Sequence, residues 1–499
     1  MANRLNQTIT RLSLYKKLFK QTAVYGIATV FPRMLGFILV PFYIEYFKDA
    51  SEYGVFSTVF AYLIFFNVVL SYGMETTFFR FFNKEENKEN VISTAQLSLL
   101  FSTVLFFIVS WFSTETISQF FGFEVSFIQF TIGILTLDAL VVLPFSRLRA
   151  QGKTMKYAGL KIANVTLNLI LNVFFLVFLP KIAAANPNGF FASIYIENYQ
   201  VTYVFISLLV ASAFTFLALL PSYFSFKWKF DIALYKKMLR YSWPILIAGL
   251  AFAINEQFDK ILLEALLDPE TSKEVTGIYS ACYKLGLFMV LFRTAYSLGV
   301  EPFFFSHAKE KNAPQTYATI TKYFVIIGSL MLLVIVVFAD VLKVLLIPKE
   351  EFWGAMDIVP LIILANFFLG IYTNLSVWYK LIDKTYIGAI ISVVGAIITL
   401  AVNVVFIPKY SFYASAAATL LAYGSMMVLS YYLGRKKYPI PYDFKAILTY
   451  LVLAITLSAV SFYVTALRTT YVFGIVAIIG FCYYIFRQEK ELIHKILKR

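Results

Sequence analysis

The sequence predicts an all-α protein that crosses a membrane many times. Of its 499 residues, 60% are hydrophobic and only 14% are charged. Apolar runs of about 20 residues, the length that spans a bilayer as a helix, recur throughout. Fourteen such segments lie near residues 22–44, 54–74, 91–112, 126–146, 158–179, 200–221, 243–265, 277–304, 322–339, 358–379, 387–407, 411–433, 446–466 and 471–486. The loops between them are short, so we expect no inserted soluble domain.

The distribution of basic residues orients these predicted helices. Lys and Arg, 43 in all, give the chain a net charge of +15. When the loops are assigned alternately to the two sides with the N-terminus inside, most basic residues fall on the inner side, as the positive-inside rule requires. Both termini are therefore predicted to be cytoplasmic. Topology and attraction to anionic lipids explain the basic balance, so no nucleic-acid partner is expected.

An internal repeat divides the predicted helices into two halves. Five short motifs recur in the same order, at offsets that rise slowly from 220 to 231 residues. The pairs are Lys16-Lys-Leu-Phe-Lys20 with Lys236-Lys-Met-Leu-Arg240, Gly54-Val-Phe-Ser57 with Gly277-Ile-Tyr-Ser280, Ser71-Tyr-Gly-Met-Glu75 with Ser297-Leu-Gly-Val-Glu301, Lys153-Thr154 with Lys384-Thr385, and Asn172-Val-Phe-Phe175 with Asn403-Val-Val-Phe406. Six spans separate the copies, and an even number preserves orientation, which predicts a parallel repeat.

The repeat sets the predicted organisation of the chain. We expect a six-helix bundle at residues 1–221, a basic cytoplasmic linker at 222–242 and a second six-helix bundle at 243–433. Residues 434–499 add two helices outside the repeat and a basic cytoplasmic tail. The residue types of catalytic and cofactor sites are scarce, with two cysteines, two histidines and no Gly-rich phosphate loop. An enzyme, a metal site and an ATP-driven pump are therefore not expected.

Several motifs resemble those of one transporter family. They are Glu52-Tyr-Gly-Val-Phe-Ser57, Leu70-Ser-Tyr-Gly-Met-Glu-Thr-Thr-Phe-Phe-Arg80, Arg149-Ala-Gln-Gly-Lys153, Tyr241-Ser-Trp-Pro244, Asp259-Lys260 and Gly277-Ile-Tyr-Ser280. Together they resemble the polysaccharide repeat-unit (O-antigen type) flippases of the multidrug/oligosaccharidyl-lipid/polysaccharide exporter superfamily. That superfamily also holds the lipid II flippases and the multidrug and toxin extrusion (MATE) antiporters.

The resemblance implies a fold, a substrate and a location. The fold would be MATE-like, with two six-helix bundles and two C-terminal helices. The substrate would be an undecaprenyl-diphosphate-linked oligosaccharide, moved from the cytoplasmic to the periplasmic leaflet of a bacterial inner membrane for lipopolysaccharide or another surface polysaccharide. The implied partners are this lipid-linked oligosaccharide, membrane lipids, and polysaccharide polymerase or chain-length enzymes.

Cations inside the predicted spans are candidates for binding the substrate diphosphate. Arg33 lies 11 residues into the first span, at roughly 16 Å depth, near the bilayer centre. We interpret Arg33, Lys284 and Arg293 as a cationic site, because guanidinium and ammonium groups bind phosphate oxygens. A structural ion pair of Arg33 with Asp138 or Glu75 is the alternative. Lys284 and Arg293 would lie on opposite faces of an ideal helix, unless Gly286 allows a break between them.

Acidic and amide side chains in the spans have two interpretations each. Asp138, Glu256, Asp259 and Lys260 are candidates for coupling to Na⁺ or H⁺ or for structural charge pairing, with Glu256–Lys260 as the expected pair at i, i+4. The stripe formed by Asn164, Asn168 and Asn172 either lines a passage for sugar hydroxyls or joins helices by hydrogen bonds. No other cofactor is expected.

The predicted function is a flippase that works by alternating access. Three alternatives remain open: a lipid II flippase, which shares the diphosphate; an ion-coupled multidrug or cation antiporter, which would need an acidic site; and a non-transporting scaffold for polysaccharide enzymes. Intramembrane cations favour an anionic substrate over a cationic one. The glycan, the coupling ion and the oligomeric state are not determined by the sequence.

Overall fold

The computed structural model describes residues 35–306 and 310–490. Within these residues the chain is almost entirely helical and has no β-strand, which confirms the all-α prediction. Eleven helices of this described part are long and apolar enough to cross a membrane. The three other predicted positions fall on the shorter helices Leu35–Tyr46 and Val472–Gln488 and on the charged helix Ile232–Leu266. The count of fourteen spans therefore stays a prediction.

The helices are numbered in chain order. The first half contains α1 (Leu35–Tyr46), α2 (Ala50–Ser71), α3 (Met74–Lys84), α4 (Lys88–Phe112), α5 (Thr114–Phe121), α6 (Val125–Ala150), α7 (Thr154–Val173), α8 (Leu179–Ala185), α9 (Phe190–Ile194), α10 (Gln200–Leu219) and α11 (Ile232–Leu266). A π-helical turn, Phe174–Phe178, joins α7 to α8, and a 3₁₀ turn, Leu220–Phe224, follows α10.

The second half continues with α12 (Ser272–Tyr283), α13 (Leu287–Ser306), α14 (Ala313–Val337), α15 (Ala339–Leu346), α16 (Val359–Leu375), α17 (Val377–Leu381), α18 (Tyr386–Tyr410), α19 (Phe412–Lys437), α20 (Phe444–Tyr463), α21 (Thr465–Thr470) and α22 (Val472–Gln488). Short 3₁₀ segments, Lys284–Gly286 and Glu350–Ile358, precede α13 and α16.

Two compact units divide the described chain. The first contains Tyr46–Lys48 and Tyr62–Gly249, and the second contains Tyr43–Glu45, Asp49–Ala61 and the described residues from Leu250 onward. The predicted boundaries at residues 221, 242 and 433 stay predictions, and the structure divides the chain within α2 and α11.

The first unit is organised around α6 and α10. Helix α10 packs against α6 and α7, and α4 packs against α6. Helices α3, α4, α6 and α11 share a buried apolar cluster that includes Phe78, Val91, Leu143 and Met238. Local signals set the ends of these helices. The Asn87 side chain accepts a hydrogen bond from the Asn90 N–H (3.0 Å) and caps α4.

The second unit is organised around α16 and α19. Helix α19 packs against α16 and α18, and α20 packs against α14. A buried cluster that includes Ala365, Trp378, Ile391 and Tyr423 fills the space between α16, α17, α18 and α19. The two additional helices predicted at the C-terminus, α20 and α22, therefore belong to this unit, and the Asp443 side chain caps α20.

The internal repeat has a direct geometric counterpart at two turns. After α6, the Lys153 N–H donates to the Leu148 carbonyl (2.8 Å); before α18, the Lys384 N–H donates to the Tyr379 carbonyl (2.8 Å). Each turn has a left-handed residue at the same place, Gly152 with φ 67° and Asp383 with φ 56°. Every position in the second turn is 231 residues after its counterpart, the offset found in the sequence.

A second repeat pair forms a close helix crossing inside the second unit. A Cβ on Gly54 would lie 1.9 Å from the Lys273 carbonyl oxygen, and a Cβ on Gly277 would lie 1.8 Å from the Ala50 carbonyl oxygen. Both residues of each pair differ by 223 positions, so α2 and α12 contribute equivalent residues to this crossing. Glycine is required here, because any side chain would separate the two backbones.

Candidate functional site: charges within the membrane helices

The predicted break between Lys284 and Arg293 is present in the structure. Residues Lys284–Gly286 form a 3₁₀ turn between α12 and α13. A Cβ on Gly286 would lie 2.7 Å from Ile362 Cγ2, so the close approach of α16 requires glycine at this turn. A 3₁₀ turn has three residues per turn, which over three residues rotates the following helix by roughly 60° more than an α-helix would. The two cations are therefore not on opposite faces of one ideal helix.

Lys284 and Arg293 are both half-buried. Among the described residues, no carboxylate forms an ion pair with either cation. Lys284 lies within electrostatic range of Lys260 and Asp259. Arg293 lies within electrostatic range of the hydroxyls of Tyr283 and Tyr423. These cations lack the direct neutralising partner that a buried charge needs in a purely structural role.

Asp259 and Lys260 neutralise each other. The Lys260 ammonium donates to both Asp259 carboxylate oxygens (2.8 and 3.0 Å), and both side chains are almost fully buried. The Tyr279 hydroxyl also donates to Asp259 (2.7 Å), while the ammonium lies 4.4 Å from the centre of the Tyr283 ring. The expected Glu256–Lys260 pair is therefore wrong, because the flexible Lys260 stem folds back onto the adjacent carboxylate.

Glu256 instead accepts a hydrogen bond from the Tyr423 hydroxyl (2.9 Å). The preceding residue, Asn255, joins an amide–hydroxyl network between α11, α18 and α19. Thr399 donates to Asn255 (2.8 Å), and Ser415 donates to Asn403 (2.8 Å). Sequence reasoning did not place Asn255, Thr399 or Ser415 in a site. The repeat motif that contains Asn403 was the only signal that pointed to this network.

Asp138 has neutral hydrogen-bond donors around its carboxylate. Ser212 on α10 donates to it (2.7 Å), and the Asn67 side chain is a second hydrogen-bond partner. Lys161 on α7 lies within electrostatic range, and its ammonium is 4.5 Å from the centre of the Phe145 ring. Asp138 thus combines an ionisable group with polar partners from several helices of the first unit.

Arg33 and its neighbour Pro32 lie outside the described residues, so their predicted roles stay predictions. Of the two proposed partners of Arg33, Glu75 has another cation within reach. The Arg149 guanidinium donates to Glu75 (2.7 Å) at an exposed position, and it also lies over the Phe79 ring (4.9 Å). Within residues 35–306 and 310–490, no group of three His, Cys, Asp or Glu side chains could hold a metal ion.

The asparagine stripe of α7 makes packing contacts. The Asn164 amide donates to the Ala211 carbonyl (2.9 Å) and to Thr215 (2.9 Å) on α10. The Asn172 amide donates to the backbone and side-chain oxygens of Asn168 (2.7 and 3.0 Å), and Asn172 is fully buried. These bonds favour the helix-joining interpretation for Asn164. A sugar-lined passage stays a prediction.

Solved structures of membrane transporters share this fold. A lipid II flippase MurJ in an inward closed conformation has a TM-score of 0.71 and 16% identity, over 93% of this chain and 99% of that one. A multidrug resistance MATE family transporter of the MOP superfamily in an inward-facing conformation has a TM-score of 0.60 and 13% identity, over 85% and 98%. A MOP superfamily transporter from Pyrococcus furiosus has a TM-score of 0.59 and 14% identity, over 84% and 95%.

These structural likenesses define a multi-pass membrane protein with a MurJ/MATE-like fold, which confirms the predicted fold class. At such low identity they show the fold alone. The family follows from the sequence: the model described as "Polysaccharide biosynthesis protein" matches residues 18–306, so the chain belongs to that family. No curated protein matches the chain. Family and fold together are those of membrane transporters and flippases.

Proposed function

We propose that this chain is a flippase for undecaprenyl-diphosphate-linked oligosaccharide repeat units. It moves them from the cytoplasmic to the periplasmic leaflet of a bacterial inner membrane by alternating access, with both termini in the cytoplasm. The observation that carries the proposal is the broken helix α12–α13, which holds Lys284 and Arg293 in the membrane without an ion-paired carboxylate among the described residues. Unpaired intramembrane cations mark an anion pathway.

The two cations suit a diphosphate. Arg293 can donate two parallel hydrogen bonds to phosphate oxygens, and Lys284 supplies a compact positive charge. Lys260 does not compete for the substrate, because Asp259 already neutralises it. In this proposal Arg33 adds a third cation, and the prenyl chain stays in lipid while the diphosphate crosses.

Coupling to an ion gradient is assigned to the two carboxylates that lack a direct ion pair. Among the described residues, Asp138 and Glu256 accept hydrogen bonds from neutral hydroxyls. Either one can take up H⁺ or Na⁺ without first breaking a salt bridge. Asp259 would have to release Lys260, which makes it the weakest coupling candidate of the three.

Reconstituted translocation tests the proposal. Liposomes that contain the wild-type protein should move a fluorescent undecaprenyl-diphosphate oligosaccharide between leaflets. The double variant Lys284→Gln/Arg293→Gln should lose at least 90% of this rate, whereas Lys409→Gln, an exposed charge at the end of α18, should keep it. Equal rates for wild type and the double variant would remove these cations from the mechanism. No translocation by folded wild type, across several glycans and imposed Na⁺ and H⁺ gradients, would overturn the flippase.

A lipid II flippase is the second candidate. The likeness to MurJ, with a TM-score of 0.71 against 0.60 for a MATE transporter, favours it at the level of fold. Lipid II carries the same diphosphate, so the same cations would serve. Faster translocation of lipid II than of repeat-unit oligosaccharides in the same liposomes would select this candidate. Transport of organic cations alone would indicate an antiporter, and binding of polymerase or chain-length enzymes without any transport would indicate a scaffold.

A further inference from the structure

A small basic cavity lies in the first unit, away from the residues assigned to transport. It has a volume of about 220 Å³ and lies between the end of α6, the start of α7 and the turn after α10. Arg147, Lys153 and Lys156 line it together with the polar side chains of Gln151 and Ser222, and no acidic residue is in its lining. Three positive charges thus converge on a space that contains no compensating negative charge.

The backbone turn after α6 forms one wall of this cavity. Gly152 has a φ of 67°, which glycine adopts without strain, and the Lys153 N–H closes the turn by donating to the Leu148 carbonyl. The turn belongs to the family-like motif Arg149-Ala-Gln-Gly-Lys153, which the transport proposal leaves without a role. It brings Gln151 and Lys153 into the cavity lining.

Neutral groups hold the Arg147 guanidinium in place. It donates to the Ser222 carbonyl (3.1 Å) and to the Ser225 hydroxyl (2.7 Å). Among the described residues, no carboxylate forms an ion pair with Arg147, Lys153 or Lys156. The half-buried guanidinium is therefore fixed in orientation while its charge stays available to an anion.

The second half shows that packing does not require this cavity. The repeat counterpart of Arg147, 231 residues later, is Trp378. Its indole N–H donates to the Ser430 carbonyl (3.1 Å), much as Arg147 donates to Ser222. Trp378 is 1% exposed, and the space beside it has a volume of only about 10 Å³. The same supporting contact is thus made by an apolar, space-filling side chain in one half and by a cation beside an open cavity in the other.

We propose that this cavity binds a phosphate group at the cytoplasmic surface of the membrane. Guanidinium and ammonium groups recognise phosphate oxygens, and backbone and hydroxyl groups here already hold the guanidinium in position. The volume is below the roughly 300–1,000 Å³ of sites for drug-sized ligands, so it suits a single headgroup rather than an oligosaccharide.

The phosphate has two sources, a phospholipid headgroup or a soluble phosphate. Exposed apolar side chains at the same end of the unit place the cavity beside a lipid surface: Met155 is 67% exposed, Phe224 74% and Trp228 58%. The site lies in the first unit, whereas Lys284 and Arg293 lie in the second. Its occupation is independent of the transport proposal.

Binding to the purified full-length protein in detergent tests the site. The probes are short-chain phosphatidylglycerol, inorganic phosphate and, as a lipid without phosphate, short-chain diacylglycerol, each titrated at fixed ionic strength. Wild type should bind phosphatidylglycerol and not diacylglycerol. Lys153→Gln/Lys156→Gln, which keeps the contacts of Arg147, and Arg147→Gln/Lys153→Gln should each weaken binding at least tenfold.

A matched control separates a site from general electrostatics. Lys236→Gln/Lys237→Gln removes the same charge from exposed positions of α11 in the same unit, and it should change binding less than twofold. Equal losses in the control and in the cavity variants would overturn the proposal, and so would failure of wild type to bind either phosphate-containing probe. Binding of inorganic phosphate as tightly as the lipid identifies the soluble source, and binding of the lipid alone identifies a headgroup. Thermal unfolding checks that every variant is folded.

Discussion

The pairing of Asp259 with Lys260 shows how one residue position decides between structure and coupling. Both side chains are almost fully buried, and Tyr279 completes the coordination of the carboxylate. Replacing Asp259 by Asn would leave a buried ammonium without its partner, which typically costs 3–5 kcal/mol. We therefore expect Asp259→Asn to unfold at a markedly lower temperature, measured by intrinsic fluorescence in detergent.

The double variant Asp259→Asn/Lys260→Met provides the control. It removes both charges together, so it should recover most of the lost stability, because an apolar replacement of a buried pair is often close to neutral. If Asp259→Asn is as stable as wild type while transport loses its dependence on an ion gradient, Asp259 is a coupling carboxylate and our structural interpretation fails.

At this scale the sequence predicted which side chains matter better than it predicted their partners. It identified Lys284, Arg293 and the need for a break near Gly286, since charge and spacing are visible in one dimension. It paired Lys260 with Glu256, because helical periodicity ranks i, i+4 neighbours and does not describe a long side chain that folds back. It also missed Thr399 and Ser415, whose role depends on the approach of α18 and α19 to α11.

At the scale of elements, the crossing of α2 and α12 depends on two glycines. A methyl group at Gly54 or at Gly277 would collide with a carbonyl oxygen of the other helix, and backbone atoms cannot move aside as a side chain does. We expect Gly54→Ala and Gly277→Ala each to destabilise the protein by about 1–3 kcal/mol, the usual cost of overpacking. Thermal unfolding in detergent measures the effect.

Gly159 in α7 is the matched control for this prediction. A Cβ there meets nothing within 4 Å, so Gly159→Ala should be neutral or slightly stabilising through helix propensity. Similar losses for all three variants would mean that glycine acts through flexibility rather than through the close crossing.

A second element contact joins α15 to α21 by ion pairing. The Arg468 guanidinium donates two hydrogen bonds to Asp340 (2.6 and 2.8 Å), and Lys343 adds a third cation contact (2.8 Å). The hydrogen bonds from Arg468, followed by those from Lys343, hold the pKa of Asp340 below its ordinary value. A carboxyl whose pKa is lower in the folded state stabilises the fold above the unfolded pKa, near 3.9, and that contribution is lost as the pH falls through the folded value.

We therefore expect the difference in unfolding temperature between wild type and Asp340→Asn to be largest near neutral pH. It should shrink below about pH 4, where Asp340 becomes protonated. Unfolding temperatures of both proteins between pH 3 and 7 measure this. A difference that is constant across the range would show that the carboxylate charge does not contribute. Arg468→Lys should lose part of the effect, because an ammonium does not form the two-pronged contact.

At the scale of the whole molecule, the testable prediction is topology. The chain has only two cysteines, Cys282 and Cys482, so a cysteine-free background is within reach. Single cysteines at Lys237, Asn188 and Arg487, all exposed positions, report on three predicted loops or ends. In sealed right-side-out vesicles, a membrane-impermeant maleimide should label Asn188→Cys, whereas Lys237→Cys and Arg487→Cys should react only after the vesicles are opened.

Labelling of Arg487→Cys from outside would place the C-terminus on the other side and would rule out an even number of spans with a cytoplasmic N-terminus. Labelling of Lys237→Cys from outside would invert the first six spans. The predicted count of fourteen depends on both results, since α1 is described only from Leu35 and since α11 carries charges that weaken its hydropathy signal.

The sequence by itself determined the class of this protein: its helices, their approximate positions, the parallel repeat and the family. These properties are carried by hydropathy, by charge asymmetry and by short motifs, all of which are local in the chain. Only the tertiary structure decided which charges neutralise each other, where Arg147 and Trp378 differ in filling a cavity, and that Gly54 meets Gly277. Such facts depend on distances between helices that are far apart in sequence, and the near-uniform apolarity that membrane helices require leaves few signals of which faces meet.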